Sequence, residues 1–332
     1  MNVALITPWH VKCGIASYSE NLANALAELG VDIHIVRLPR FGYKNAAILQ
    51  NIVDRIPENV DIIHIQEEYG LYQGLEEGFY RGLKALKKPI VTTCHSVGKW
   101  EIDSFISMFS DRLIVHNEFC AKHLGSPFVI IAHGCNLVKE IPIDQAKRSL
   151  GIDPKIPVVG YVGFISTYKG LETLIEAIVN VPKTALLIAG GSHVGDDTQH
   201  MMQLKERTSK VLQGRCQWLG WIPDERLPTI YGALDLVVYP SRFATESGAL
   251  LMALSHGKAC ITSRLPPFQE KEKLGALMTF KDVKDLTRKI KRLLKDDEMR
   301  KSLEEGARRY CEDNSWGKVA MKHIELYESL VG

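Results

Sequence analysis

Short runs rich in β-branched residues alternate with longer amphipathic stretches along the whole chain, and this alternation limits the fold more than any other feature. It is the pattern of parallel strands joined by helical crossovers. The series runs twice. Its first half predicts strands at Val3–Thr7, Asp32–Arg37, Ile62–Gln66, Ile90–Thr93, Arg112–His116 and Val129–Ala132. Helices fill the intervals, one from Ser17 to Leu29 with Gly30 as its cap, another including Tyr80–Lys87. The second half predicts strands at Val158–Tyr161, Ala185–Ala189, Cys216–Leu219, Leu236–Tyr239 and Ala259–Thr262. Its helices lie near Gly170–Val179, Gln199–Val211, Arg226–Ala233, Ser247–Ser255 and Val283–Lys295, with a charged helical tail after Asp296. Between the halves, Asn136–Pro157 has three prolines and no strand, and reads as a connection with a short helix at Asp144–Leu150. With 332 residues, 45% of them apolar, the chain can bury two cores. The expected class is α/β with two Rossmann-like domains.

Composition removes several functions. A net charge of +2 and the lack of Lys/Arg clusters interleaved with aromatics argue against a nucleic-acid partner, while remaining compatible with weak peripheral membrane contact. The opening MNVALITPWH has no basic flank, and no segment approaches about 18 uninterrupted apolar residues, so a soluble cytoplasmic protein is expected. Seven cysteines are scattered singly without a C-x-x-C pair, which favours reduced thiols over a structural zinc.

Candidate sites fall at the carboxyl ends of the expected strands. In Val237–Ser263 an apolar strand stops at Pro240, a polar loop carries one acid, Glu246, and a helix opens at Ser247 and Gly248. The amides of Ser247, Gly248 and Ala249 and the helix dipole beside a carboxylate outline an anion and polyol site. After the first strand of the second half, Gly163 to Gly170 leads into a helix, and Lys169 beside that helix start is a point charge suited to phosphate oxygens. Gly14 marks the turn after the first strand, where a diphosphate fits as well as a simple tight turn does. The loop is not G-x-G-x-x-G, so hydride transfer loses support. His95 ends a buried strand at the same kind of edge, and a neutral imidazole there bonds a hydroxyl either way. His116 and His133 end the next two strands without metal-ligand spacing, so no metal is expected. Glu67, Glu68 and Tyr69 end the strand IIHIQ; neighbours on an extended segment point opposite ways, so one acid faces the open edge, and Glu67 is preferred. Asp196 and Asp197 read as helix N-terminal acids, and Gly190, Gly191 and Ser192 as the loop that closes over a ligand.

The run GYVGFISTYKGLETLIEAI resembles the strand, G-x-x-x-x-x-K-G, helix segment of family-four-type retaining glycosyltransferases, the glycosyl transferases group 1. GWIPDERLPTIYGALDLVVYPS is similar to that family's base-contacting loop, which includes Ile222, and GIASYSENLANAL and IIHIQEEYGLY are similar to its first-half motifs. The resemblance covers nearly the whole chain. It implies the GT-B architecture, two facing Rossmann-like domains with a central cleft. An acceptor domain over 1–140 would be completed by a C-terminal helix over 315–332, and a donor-binding domain would span 141–314. It implies a metal-independent hexosyltransferase without cofactor. Lys169 would sit on the donor diphosphate, Gly163, Gly190 and Ile222 in the donor loops, Glu246 and His95 on the transferred sugar, and Glu67 and Tyr69 toward the acceptor. The sugar would pass, with retention, from a nucleotide-diphosphate sugar to a hydroxyl of a glycan, lipid or small molecule. Two departures stand out. Phe164 occupies the neighbourhood of a diphosphate arginine, for which Arg242 is a substitute, and Met252 or Leu254 stands where the family has a second glutamate toward the ribose. That loss keeps two alternatives open, a sugar-phosphate-dependent transferase or phosphorylase and a noncatalytic sugar- or nucleotide-binding subunit.

Overall fold

The computed structural model describes residues 1–38, 46–72, 74–124, 128–192 and 198–332; Asp196 and Asp197 lie outside them. By its internal contacts the chain divides into two compact units, Met1–Gly134 with Asn314–Gly332, and Cys135–Asp313. Each is an α/β unit built on a six-stranded sheet.

In the first unit β1 (Asn2–Pro8), β2 (Asp32–Leu38), β3 (Ile62–Glu67), β4 (Ile90–Cys94), β5 (Arg112–Val115) and β6 (Phe128–Ile130) pair in parallel in the order β2-β1-β3-β4-β5-β6. Every residue of β3 and β4 is buried, because helices cover both faces. One face carries Ile63, Ile65, Phe79 and Tyr80. The other carries Val3, Ile62 and Leu22 together with Trp316, Val319, Leu326 and Tyr327 of the last helix, Trp316–Val331. Each of these large side chains contributes about 1.5–3 kcal/mol by leaving water. Gly134 lies beneath the Trp316 indole so closely that a Cβ there would run into the ring.

In the second unit β7 (Val158–Val162), β8 (Ala185–Ala189), β9 (Cys216–Gly220), β10 (Leu236–Tyr239), β11 (Cys260–Ser263) and β12 (Met278–Phe280) pair in parallel in the order β12-β11-β10-β7-β8-β9. The segment Asn136–Pro157 belongs to this unit. Its helix spans Ile143–Ser149, and buried Lys147 places Nζ 2.8 Å from Asp235 Oδ2 and 2.9 Å from the Ile156 carbonyl. Both sheets are doubly wound. Chain direction across the sheet reverses between β1 and β3 and between β7 and β10, the positions whose carboxyl ends bind ligands in doubly wound sheets.

The strand pattern matches the sequence reading except at β12, whose three residues MTF lack the β-branched run that marked the others. The helix Pro266–Lys273 also escapes notice, since PPFQEKEK has no apolar period and its two prolines look like a loop when they open a first turn. All seven cysteines are free thiols. Among the described residues no helix is long and apolar enough to cross a membrane.

Candidate functional site

At the β7/β10 reversal four loops meet. Gly163 N–H donates to Ala189 O at 2.9 Å, Ile165 N–H to Gly191 O at 3.0 Å, and Gly190 N–H to Gly220 O at 2.7 Å. Gly190 has φ +140°, and a Cβ there would collide with the Gly163 carbonyl, so these two loops can lie side by side only as glycines. The short 3₁₀ turn Thr167–Lys169 then runs into Gly170 at φ +66°, and Arg242 N–H donates 2.7 Å to Tyr168 O, tying the β7 and β10 loops together. Lys169 is half-buried, with Nζ 4.7 Å from the Tyr168 ring centre; among the described residues no carboxylate pairs with it. In the same loop Ser166 Oγ is buried without a hydrogen-bond partner among the described residues. An unmet buried hydroxyl costs about 1–3 kcal/mol, which a ligand oxygen would offset.

The Gly248–Ser255 helix starts across from this loop. Ser247 caps it by accepting from Leu250 N–H at 3.3 Å, and Tyr239 Oη fixes its first turn 2.7 Å from Ala249 O while lying 3.0 Å from Val162 O. The Ser247 amide is taken by Glu246 Oε1 at 2.8 Å. Gly248 and Ala249 therefore remain as first-turn donors that the helix itself does not use. Glu246 Oε2 meets Lys271 Nζ at 2.7 Å, with side chains 6% and 3% exposed. Burial alone would lower the Lys271 pKa, but Glu246 and Tyr310 raise it above the ordinary lysine value, and Nζ lies 5.6 Å from the Tyr310 ring centre.

The β1/β3 reversal of the first unit has a different character. Gly14 opens the Gly14–Glu28 helix with open space around its α-carbon, and the capping residue Cys13 offers no side-chain bond. His95, at the end of β4, is half-buried and edge-on to Tyr18 at 4.8 Å. Its Nε2–H donates to Gln66 Oε1 at 2.8 Å, and Gln66 Nε2 in turn donates to His64 Nε2 at 3.2 Å. His64 Nδ1 lies 2.6 Å from Tyr327 Oη of the last helix, and His116 Nε2 lies 3.4 Å from His95 Nδ1. Desolvation lowers His95 well below the usual histidine value, and the neighbouring His116, His133 and His64 lower it further. Its ring is neutral at pH 7, with the one N–H committed to Gln66 and Nδ1 left as the acceptor nitrogen.

Glu67 does not reach the open edge, contrary to the preference stated above. It is fully buried, accepts from Tyr80 Oη at 3.1 Å, and leaves Oε1 without a partner among the described residues. Desolvation and the charge of Glu76 raise its pKa well above the carboxylate range. Strand alternation puts Glu68 outward instead, where it accepts from Gly70 N–H at 2.9 Å. Tyr69 has its hydroxyl occupied, donating to Asp103 Oδ1 at 2.6 Å and accepting from Lys99 N–H at 3.0 Å, with Lys99 Nζ over its ring. It locks two loops together. Among the described residues no three His, Cys, Asp or Glu side chains converge as a metal site would need.

Residues 142–310, just over half of the chain, match the family model of the glycosyl transferases group 1. The chain belongs to that family. Over 219 residues it is 30% identical to the D-inositol 3-phosphate glycosyltransferase of Corynebacterium urealyticum, a stretch that covers 60% of this chain and 51% of that protein. It is 27% identical over 223 residues to the lipopolysaccharide core biosynthesis mannosyltransferase LpsB of Rhizobium meliloti, with 61% of each covered. The chain thus spans about half the length of the first of these curated relatives. Among solved structures, sucrose-phosphate synthase of Thermosynechococcus elongatus superposes with a TM-score of 0.81 at 20% identity, covering 99% of both chains. Anabaena HepE, in complex with UDP and glucose, also gives 0.81, at 17% identity, covering 99% of this chain and 100% of that one. The fold is the GT-B fold of these neighbours.

In this group 1 chain, Gly163, Lys169, Gly190 and Ser247 lie on the segments that leave the strands at one sheet reversal, Gly248 and Ala249 open the helix that follows, and Ile222 follows β9 half-buried against the second unit's core. Leu254 is fully buried and Met252 packs against the core, so neither offers a polar group to a ribose. Phe164 packs against Trp221, ring centres 5.6 Å apart. Arg242 is exposed and turns to Glu172, 3.4 Å away. Lys271 and Gln66 went unnoticed in the sequence. No spacing rule links positions 246 and 271; they meet because β10 and β11 are neighbours whose outgoing segments leave from the same edge.

Proposed function

We propose that the protein is a retaining, metal-independent glycosyltransferase that moves a sugar from a nucleotide-diphosphate sugar to a hydroxyl of a glycan, lipid or small molecule. The observation that carries this reading is the β7/β10 reversal, whose outgoing segments bear Lys169, which has no carboxylate partner among the described residues, the buried hydroxyl of Ser166, and the first-turn amides of Gly248 and Ala249. Negative charge that develops on the leaving phosphate would meet a fixed ammonium and a helix dipole, which need no reorganisation at the moment of reaction. Glu246, fixed by Ser247 and Lys271, would stand toward the transferred sugar. The second unit would hold the donor, with Ile222 beside the base. The first unit would hold the acceptor, with His95 on the transferred sugar, Gly14 near the diphosphate and Glu68 taking the part first given to Glu67. Cytoplasmic location and weak membrane contact belong to this reading as well.

Replacing Lys169 with Ala is expected to lower product formation by about 10²-fold, the scale of one lost charge-stabilising donor, while the unfolding temperature stays unchanged. Equal turnover by Lys169→Ala and the parent protein would refute it. The acid-free Gly248–Ser255 helix supports a second reading, a donor that is a sugar 1-phosphate without nucleotide. Parallel assays with nucleotide sugars and sugar 1-phosphates separate the two.

A further inference from the structure

At the opposite edge of the second sheet, where β7, β8 and β9 begin, lies a cavity of about 1050 Å³ that none of the chemistry above uses. Its accessible apolar surface comes from Ile156, Ala185 and Leu294, while Val158 and Leu186 of the lining are fully buried. The strand-end amides that might have made it polar are already engaged. Val158 N–H donates to Asp235 Oδ2 at 2.6 Å, Ala185 N–H to Pro157 O at 2.9 Å and Leu186 N–H to Arg215 O at 2.8 Å. The Arg215 guanidinium is likewise turned to the carbonyls of Val181 and Thr184, 3.0 and 2.9 Å away.

The rim is cationic. Lys155, Lys183, Lys291 and Lys295 all line the cavity, and among the described residues no carboxylate pairs with any of them. The one acid in the lining is Asp153, whose Oδ1 accepts from the Lys155 amide. Gathering four ammonium groups around one opening, in a chain of net charge only +2, is unfavourable by itself and is relieved by an anion. An open apolar floor is relieved by an apolar body. The volume is that of a small-molecule site.

We infer that this cavity binds a single amphipathic anion, an alkyl or aryl chain lying on Ile156, Ala185 and Leu294 with a phosphate or carboxylate head held by the lysine rim. A bare phosphate would leave the floor wet, and a neutral chain would leave the lysines unpaired. A flat bilayer surface would touch the rim without filling the cavity.

The test uses the full chain and n-decyl phosphate, kept below its micelle concentration, with inorganic phosphate and phosphatidylglycerol vesicles as separate arms. Calorimetry is expected to show one saturable site for decyl phosphate. The affinity should be weaker by about tenfold or more in Lys183→Glu/Lys291→Glu, and at least about tenfold weaker for inorganic phosphate. Cys216 lines the cavity half-buried, so its alkylation, mapped by mass spectrometry, should slow when decyl phosphate is bound. The inference fails if decyl phosphate does not saturate, if the double variant binds it equally well, or if only the vesicles retain the protein. Both substitutions lie on exposed side chains, so loss of folding is not expected to obscure the result.

Discussion

Lys271 and Glu246 lie 2.7 Å apart with almost no exposure, so each depends on the other for its charge. Removing one partner of a buried pair leaves the other desolvated and uncompensated, at a cost of about 3–5 kcal/mol. Lys271→Met should therefore lower stability by that order in urea unfolding, whereas Lys271→Met with Glu246→Leu should recover most of it while abolishing transfer. Simple additivity of the two substitutions would show that the pair is not coupled. Glu67 behaves in the opposite way. Desolvation and Glu76 raise its pKa, so burial favours the protonated form, and its contribution is present at low pH and diminishes as pH rises toward the shifted value. Glu67→Gln keeps the shape and cannot ionise. It should be at least as stable as the parent at pH 8, with no change in acceptor KM; a large rise in KM would return Glu67 to the acceptor site.

The first unit packs its last helix through a line of imidazoles, with His64 and His323 fully buried and Tyr327 bonded to His64. Burial lowers His64 well below its usual value and His323 to about 4, and in each case a neighbouring histidine adds to the shift. Such depressed values contribute stability that is complete above about pH 6.5 and is lost as pH falls toward the folded values, at roughly 1.4 kcal/mol per group per pH unit. The urea midpoint followed by tryptophan fluorescence should fall between pH 7 and pH 5, and His323→Leu should flatten the fall. A midpoint that rises on acidification would contradict the placement of these rings. The alternation that revealed eleven of the strands could not reveal this helix contact, since His64 and Tyr327 are joined only by the folded sheet. For the same reason Lys169 and the Ser247–Ala249 turn were legible, each standing beside its own strand end, while Lys271 was not. Glu67 was misassigned because alternation says that adjacent acids diverge without saying which one turns inward.

For the molecule as a whole, the chain leaves the first unit at Gly134 and returns to it at Asn314, so the last 19 residues complete a core begun at the start of the chain. Truncation after Asp313 removes buried Trp316, Val319 and Tyr327, and is expected to abolish the first unit's cooperative unfolding. Hydrogen exchange should then show protection in Cys135–Asp313 alone; protection retained across β1 to β6 would contradict the account. The fold and family make transfer from a nucleotide sugar the central claim, and binding at the β7/β10 reversal is its most direct consequence. The decisive measurement is calorimetric titration of UDP-, GDP- and ADP-sugars into the parent protein and Lys169→Ala. The account predicts one-to-one binding of at least one of them, weakened by about tenfold or more in the variant. Binding of none, or equal binding by both proteins, would contradict it.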